Sequence, residues 1–452
     1  MIIVFLILEL LLVNWGTPAP GRMFAYFMDE WHGVQAIRAL ATRGTVNIPG
    51  AALGTPGFYA VSGAWLVPPI IFKFIDPWAI NNPATALFDQ QKIWWILRTS
   101  TWLWALAGII LLKKIAKNAT WLVVFSPIWL AYSSIFKYDI PVAVGMLIFI
   151  WRILKYAKNP SSRNWVWAVV TTGLVTTLKF SLIPLLPWLA IAWLLFTQQK
   201  KYRQLIIGLI IATAMFILLG MPDLWLPGHL AFWRDWLGMV FAEGLEQAPV
   251  YIWTKIYPEL FGWPLYLSGL LGLFLLKKDK IFWLTGFGLF AFSLLTIGIG
   301  GVAGRATVLL PFLAIGATRI IRHRVLATSL IFCQLLIGLA WWKTQTGVDT
   351  RLASSNWIQA NIPAGSAIGV QNIPIYQRLP DILVNDFYGL QYQSDYPAVY
   401  QIKVDSPAEY VVNPVNSLGY RQIALFSSPQ SNYDPIGGLS WQPTVRIFQK
   451  TK

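Results

Sequence analysis

"IFKYDIPVAVGMLIFIWRILKYAK", residues 135–158, carries the reading of the whole chain. From Ile140 to Trp151 the stretch holds no charge and is built of Ile, Val, Leu, Met, Phe and their like. With its flanks it reaches the ~17–25 residues a helix needs to cross a bilayer. A membrane-spanning strand would instead alternate apolar and polar residues, and this run does not. Its two ends differ. One closes on Arg152, Lys155 and Lys158, whereas the other opens with Lys137 and Asp139 just ahead of Pro141. Cytoplasmic ends of membrane helices collect Lys and Arg. The basic end is therefore read as inside, and the "KYDIP" corner as outside.

Working outward, the apolar segments fall at 1–15, 93–112, 119–135, 140–156 (within the stretch above), 164–179, 181–198, 205–220, 258–276, 281–299, 306–320 and 325–342. They predict about eleven transmembrane helices. The segment 58–75, "FYAVSGAWLVPPIIFKFI", is apolar too, but Pro68, Pro69 and Lys73 interrupt it, so it reads as a helix lying at the interface. Charge supports that choice. With a cytoplasmic N-terminus the inner loops become "KKIAKN", "RILKYAKNPSSRN", "QQKKYRQ", "KKDK" and "RHR", and all are basic. Counting 58–75 as a span would put "KKIAKN" outside. A signal peptide at the N-terminus is the other reading of 1–15, but no basic residue precedes the apolar run.

Composition agrees. Of 452 residues 56% are apolar and 12% charged, and 25 are tryptophans, which suits a wide membrane girth with interfacial anchors. The net charge of +16 is explained by the inner loops, so no nucleic-acid partner is expected. A lone cysteine, Cys333, forms no internal disulfide, and the three histidines stand apart, so no zinc cluster is legible. The same topology leaves the C-terminus outside. From about residue 343 the chain turns to Asn, Gln, Ser, Asp and Pro. "SSNWIQANIPAGSAIGV" (354–370) reads as a short helix, a turn and a strand, with further strands at 408–414 and 444–450. The expected organisation is a membrane module over 1–342, with a first outer loop at about 16–92, followed by a small extracytoplasmic α/β domain over 343–452.

Topology then sorts the ionisable residues. Asp29 and Glu30 fall in the first outer loop, Asp139 at an outer helix start, and Lys179 at an outer corner. Arg98 and Arg305 enter the membrane from that same side. Each has a plain alternative: a solvated loop pair, a helix cap at Asp139, or cations reaching for headgroups. Buried charge in a membrane costs ~2.5–3.5 kcal/mol per group on insertion scales, so such residues usually line a wet cavity. Gathering on one face favours a shared site.

Several stretches, in order, resemble the GT-C glycosyltransferases, in the branch of dolichyl-phosphate-mannose protein mannosyltransferases and bacterial aminoarabinose transferases. "DEWHGVQAIRALATRG" is similar to that family's acidic first outer loop, and "GTPGFYAVSGAWLVPP" to its juxtamembrane helix. "ILRTSTWLWALAGIILLKKIAKN", "FSPIWLAYSSIFKYDIP", "TTLKFSLIPLLP", "GRATVLLPFLA" and "SNWIQANIPAGSAIGV" resemble the segments that follow. Phe180 and Ala306 depart from the tyrosines usual there. The resemblance implies transfer of a sugar from a polyprenyl-phosphate donor to a protein, lipid or glycan acceptor. It implies the bacterial inner membrane as the location, the extracytoplasmic face as the side, and inversion as the stereochemical course. By resemblance Asp29 is the base, Glu30 orients a loop or the acceptor, and Asp139 is a second polar contact. Lys179, Arg305 and Arg98 are the cations for the donor phosphate, since guanidinium and ammonium groups suit a phosphate. No cofactor is called for, and a divalent metal is not indicated. The competing readings are a transporter or lipid flippase, which would place ionisable groups near the midplane, and a non-catalytic scaffold.

Overall fold

The computed structural model describes residues 2–19, 21–45, 54–76, 87–179, 182–196, 202–242, 249–275, 280–298, 303–371, 373, 378–392, 396–414, 416–428 and 442–451. Phe180 and parts of the loops 198–204, 277–280 and 300–305 lie outside them. The N-terminal half carries α1 (Ile2–Leu12), α2 (Met28–Arg43), α3 (Pro56–Gly63), α4 (Val67–Ile71), α5 (Leu87–Ile115), α6 (Thr120–Val124), α7 (Pro127–Ser133), α8 (Asp139–Lys158), α9 (Ser162–Thr176), α10 (Leu185–Phe196) and α11 (Tyr202–Met215). There follow α12 (His229–Ala242), α13 (Pro249–Tyr251), α14 (Tyr257–Phe261), α15 (Trp263–Leu275), α16 (Lys280–Gly298), α17 (Leu310–Ile320) and α18 (Arg324–Thr346). The C-terminal part holds α19 (Thr350–Asn361), β1 (Ala367–Val370), α20 (Asp381–Tyr392), β2 (Gln401–Val404), β3 (Tyr410–Val412), β4 (Tyr420–Phe426) and β5 (Val445–Lys450).

Among the described residues, four helical stretches are long and apolar enough to cross a membrane: Gln91–Ile115, Asp139–Lys158, Tyr202–Gly220 and the run opening at Arg324. Shorter apolar helices stand at Ile3–Leu12, Leu185–Phe196, Trp263–Leu275 and Leu284–Ser293. Two expected spans are not continuous helices. The segment 119–135 divides into α6 and α7, because Ser126 caps the second helix by accepting from Trp129 N and Pro127 follows at its first position. The segment 258–276 breaks at Gly262, whose φ of +81° no β-carbon-bearing residue adopts cheaply. Between α11 and α14 the chain carries helices α12 and α13.

The chain forms two compact units: Met1–Leu10, His32–Val67 and Leu97–Trp342 in one, and Leu11–Trp31, Pro68–Ile96 and Lys343–Lys452 in the other. In the first, α15 and α17 cross at backbone contact. A β-carbon on Gly272 would collide with the Gly316 carbonyl, and one on Gly316 with the Gly269 carbonyl. Close approach through small residues is how membrane helices gain packing where lipid removes the hydrophobic drive. Outward-facing Ile3, Ile7 and Leu10 on α1, and Ile206 and Ile210 on α11, are more than half exposed, an apolar surface suited to lipid.

In the second unit the described strands stand in the order β2-β1-β3-β5-β4. β1 runs parallel to β2 and β3, while β5 runs antiparallel to β3 and β4. A parallel β1–β2 pair needs a crossover, and α20 lies within it. The helix, turn and strand expected at 354–370 are α19 and β1, and the strands expected near 410 and 447 are β3 and β5. The structure adds α20, β2 and β4.

Candidate functional site

In the first unit an ion cluster forms around Asp139, the first residue of α8. Its carboxylate is fully buried. Lys137 Nζ lies 3.1 Å from Oδ2 and Lys179 Nζ 3.2 Å from Oδ1. The Lys179 ammonium also sits 4.0 Å over the Tyr138 ring. Arg305 faces Lys179 electrostatically from the 3₁₀ turn Ala303–Leu309. Thus two lysines meet one carboxylate and a third cation, Arg305, acts on one of them, an excess of two positive charges. Burying like charges together is costly unless something anionic completes the site. The Arg305 Nη1 atom is buried and makes no hydrogen bond among the described residues.

The local chain explains the convergence. The helix break at Ser126–Pro127 starts a short α7, and the following corner turns Lys137 and Asp139 the same way. Asp139 does not cap α8. Tyr138 occupies that position without a side-chain bond, and both carboxylate oxygens go to lysines. The capping reading of Asp139 and the headgroup reading of Lys179 are therefore corrected. Gly304 is the residue that lets Arg305 in: a β-carbon there would strike the Asp139 carboxylate. Alongside, Gly54 N donates to the Tyr59 hydroxyl, Phe58 packs edge-on to Tyr138, and the Thr55 hydroxyl donates to the Thr177 carbonyl two residues before Lys179.

Asp29 and Glu30 open α2, in the second unit. Glu30 is fully buried, Asp29 half-buried, and both lie in the first turn, where the helix dipole favours anions. The stretch before them is clasped by the C-terminal part of the chain. Arg351 grips Asp349 through Nε and Nη2 at 2.8 and 2.6 Å and lies 3.7 Å over the Tyr26 ring. The Tyr26 hydroxyl donates to Asp381 Oδ2 at 3.1 Å. Burial pushes the Asp381 carboxyl up to about 6, against the pull of Arg22 and Arg351. Arg98 is buried on α5.

The described contacts thus join Asp139, Lys179 and Arg305. Sequence reasoning left Lys137 out of the candidate site, although it stands two residues before Asp139. It also missed Glu9, buried on α1 and accepting from Ser133 at 2.8 Å, and the trio Thr45, Asp223 and His229, linked at 3.2–3.3 Å. Among the described residues no three or more His, Cys, Asp or Glu are arranged to hold a metal.

Residues 81–225, a stretch holding Arg98, Asp139 and Lys179, match the profile of the dolichyl-phosphate-mannose-protein mannosyltransferase family. Among curated proteins no sequence matches the chain. The chain is similar in fold to the crystal structure of ArnT from Cupriavidus metallidurans bound to undecaprenyl phosphate, with a TM-score of 0.53 and 14% identity over 99% of this chain and 97% of that one. The same protein in the apo state gives 0.51 and 14% over the same shares. The family profile over 81–225 agrees with the resemblance to the mannosyltransferases read from the motifs, and the fold is ArnT-like: mostly helical with a small C-terminal sheet.

Proposed function

We propose that this chain is an integral membrane glycosyltransferase that takes its sugar from a polyprenyl-phosphate donor and passes it to an acceptor outside the cytoplasm. One observation carries the proposal: the buried pairing of Lys137 and Lys179 with a single carboxylate, with Arg305 beside Lys179, in a chain whose fold resembles that of a protein crystallised with undecaprenyl phosphate. A phosphate leaving group supplies the negative charge the cluster lacks. Lys179 and Arg305 hold it, Arg305 through the Nη1 atom that makes no hydrogen bond among the described residues, and Arg98 is assigned to the same task. As the sugar–phosphate bond lengthens, charge accumulates on the phosphate, and preorganised cations stabilise that change without reorganising.

Asp29 is the base that removes the acceptor's proton, a role typically contributing ~10²–10⁴-fold in rate. Glu30 orients the acceptor or its loop, and Asp139 keeps the two lysines in place. A single displacement inverts the anomeric carbon. The chain crosses the bacterial inner membrane about eleven times, with its N-terminus in the cytoplasm. Residues 1–342 form the catalytic module, and 343–452 a domain on the outer face.

The test compares extracytoplasmic glycans and glycolipids by mass in cells with and without the protein, and in cells whose only copy carries Asp29→Asn. A glycan absent in both altered strains, with the variant inserted normally, is the expected result. A glycan retained by Asp29→Asn refutes the assignment of the base. A profile unchanged even without the protein refutes the transferase.

A further inference from the structure

α20 presents one face to the chain that leads into the acidic pair. Asp381, Asn385 and Tyr388 stand at positions i, i+4 and i+7, a single helical stripe. Each meets a different residue of the stretch 21–26. Asp381 accepts from the Tyr26 hydroxyl at 3.1 Å. Asn385 binds backbone twice, accepting from Met23 N at 2.9 Å and donating to the Gly21 carbonyl at 2.7 Å. Tyr388 packs edge-on against Phe24 at 5.1 Å.

The clasp is closed from other sides as well. Arg351, fully buried and held by Asp349, covers one part of the Tyr26 ring, and Arg22 approaches at 4.5 Å. Tyr26 N donates to the Gly16 carbonyl at 2.8 Å. Gly16 has φ +60°, and a β-carbon there would come within 2.6 Å of the Tyr26 ring. Phe24 carries the contact forward to Trp31 at 5.0 Å, and Trp31 stacks on Trp94 at 6.0 Å. Asp29 and Glu30 lie between these two anchors, Tyr26 behind and Trp31 ahead. Glu30 N closes the turn on the Phe27 carbonyl at 3.1 Å.

We propose that the C-terminal part of the chain positions the catalytic base: through Tyr26, Asn385 and Asp381 it fixes the first turn of α2 and thereby the place of Asp29. The inference rests on the reading of Asp29 as the base and gives the outer domain a task in the transfer step. Tyr26, Asn385 and Asp381 are positioning residues; none of them needs to touch substrate. A carboxylate displaced by about 1 Å loses on the order of 10²-fold in rate while the binding of a partner it does not touch is unaffected.

The experiment uses the full-length protein in its own membranes, which carry donor and acceptor, with the glycan product followed by mass. Tyr26→Phe removes the hydroxyl that reaches Asp381, and Asn385→Ala removes both backbone holds. The initial rate is expected to fall tenfold or more in Asn385→Ala and severalfold in Tyr26→Phe. For both purified variants, the thermal midpoint and the affinity for undecaprenyl phosphate stay within experimental scatter of the parent. Asn385→Asp, which retains the acceptor but not the donor, recovers part of the rate. Rates unchanged in both variants overturn the proposal, as do rates that fall only in step with the thermal midpoint. Asp29→Asn is measured alongside. If it transfers normally, the base assignment has failed; if it is inactive while Asn385→Ala is normal, the positioning role has failed alone.

Discussion

Gly304→Ala probes the ion cluster with one methyl group. The added β-carbon would lie 2.7 Å from Asp139 Cγ and 2.9 Å from Oδ1, with Oδ2 closer still. Those atoms cannot yield freely, because both carboxylate oxygens are held by lysines. Either the carboxylate leaves one lysine or the 3₁₀ turn moves and takes the adjacent Arg305 with it. Overpacking of this kind costs about 1–3 kcal/mol. Should that strain fall on the transition state, the transfer rate drops roughly 5- to 150-fold. The assay is the initial rate of glycan formation in membranes, normalised to the amount of protein inserted. A rate within twofold of the parent, at equal insertion, would refute the claim that Gly304 and Arg305 complete the site.

Two further outcomes follow from the packing and the charges. Asp381 titrates at about 6 in the folded chain against 3.8 for an ordinary carboxyl. The folded state therefore holds the proton more tightly, so the stabilisation is full below the ordinary value and is lost as pH rises through about 6. The difference is worth at most ~3 kcal/mol. Asp381→Asn should accordingly raise the thermal midpoint relative to the parent at pH 8 and leave it alone at pH 4, and a difference independent of pH would contradict this. At the α15–α17 crossing, Gly316→Leu forces two touching backbones apart, so the yield of monodisperse protein in detergent should collapse; a normal yield would show that the crossing is not needed.

Some of this was legible in the sequence and some was not, for identifiable reasons. Apolar length marked most of the helices, since a membrane span must be long and apolar, and basic loop ends are the ground for the sidedness we propose. The break inside 119–135 was written in Ser126–Pro127, a start signal that an apolar-run reading passes over. Asp139, Lys179 and Arg305 could be grouped by side, but only the fold shows that the first two are ion-paired. Lys137 was not grouped with them because a lysine in a loop reads as solvated. The clasp of Tyr26 by Asp381 spans more than three hundred residues and has no local signature. Asp381 itself reads as an ordinary helix-start aspartate, and its second task is visible only in three dimensions.

The central claim is that the cluster around Asp139 receives a phosphate. Titrating undecaprenyl phosphate into the purified protein, and into the Lys179→Gln, Arg305→Gln double variant, tests it most directly. Two charge-assisted hydrogen bonds at about 1.5–3 kcal/mol each predict a Kd raised by roughly 100-fold or more. Undecaprenol, which lacks the phosphate, should bind both proteins equally. An unchanged Kd for the phosphate in the double variant would contradict the account.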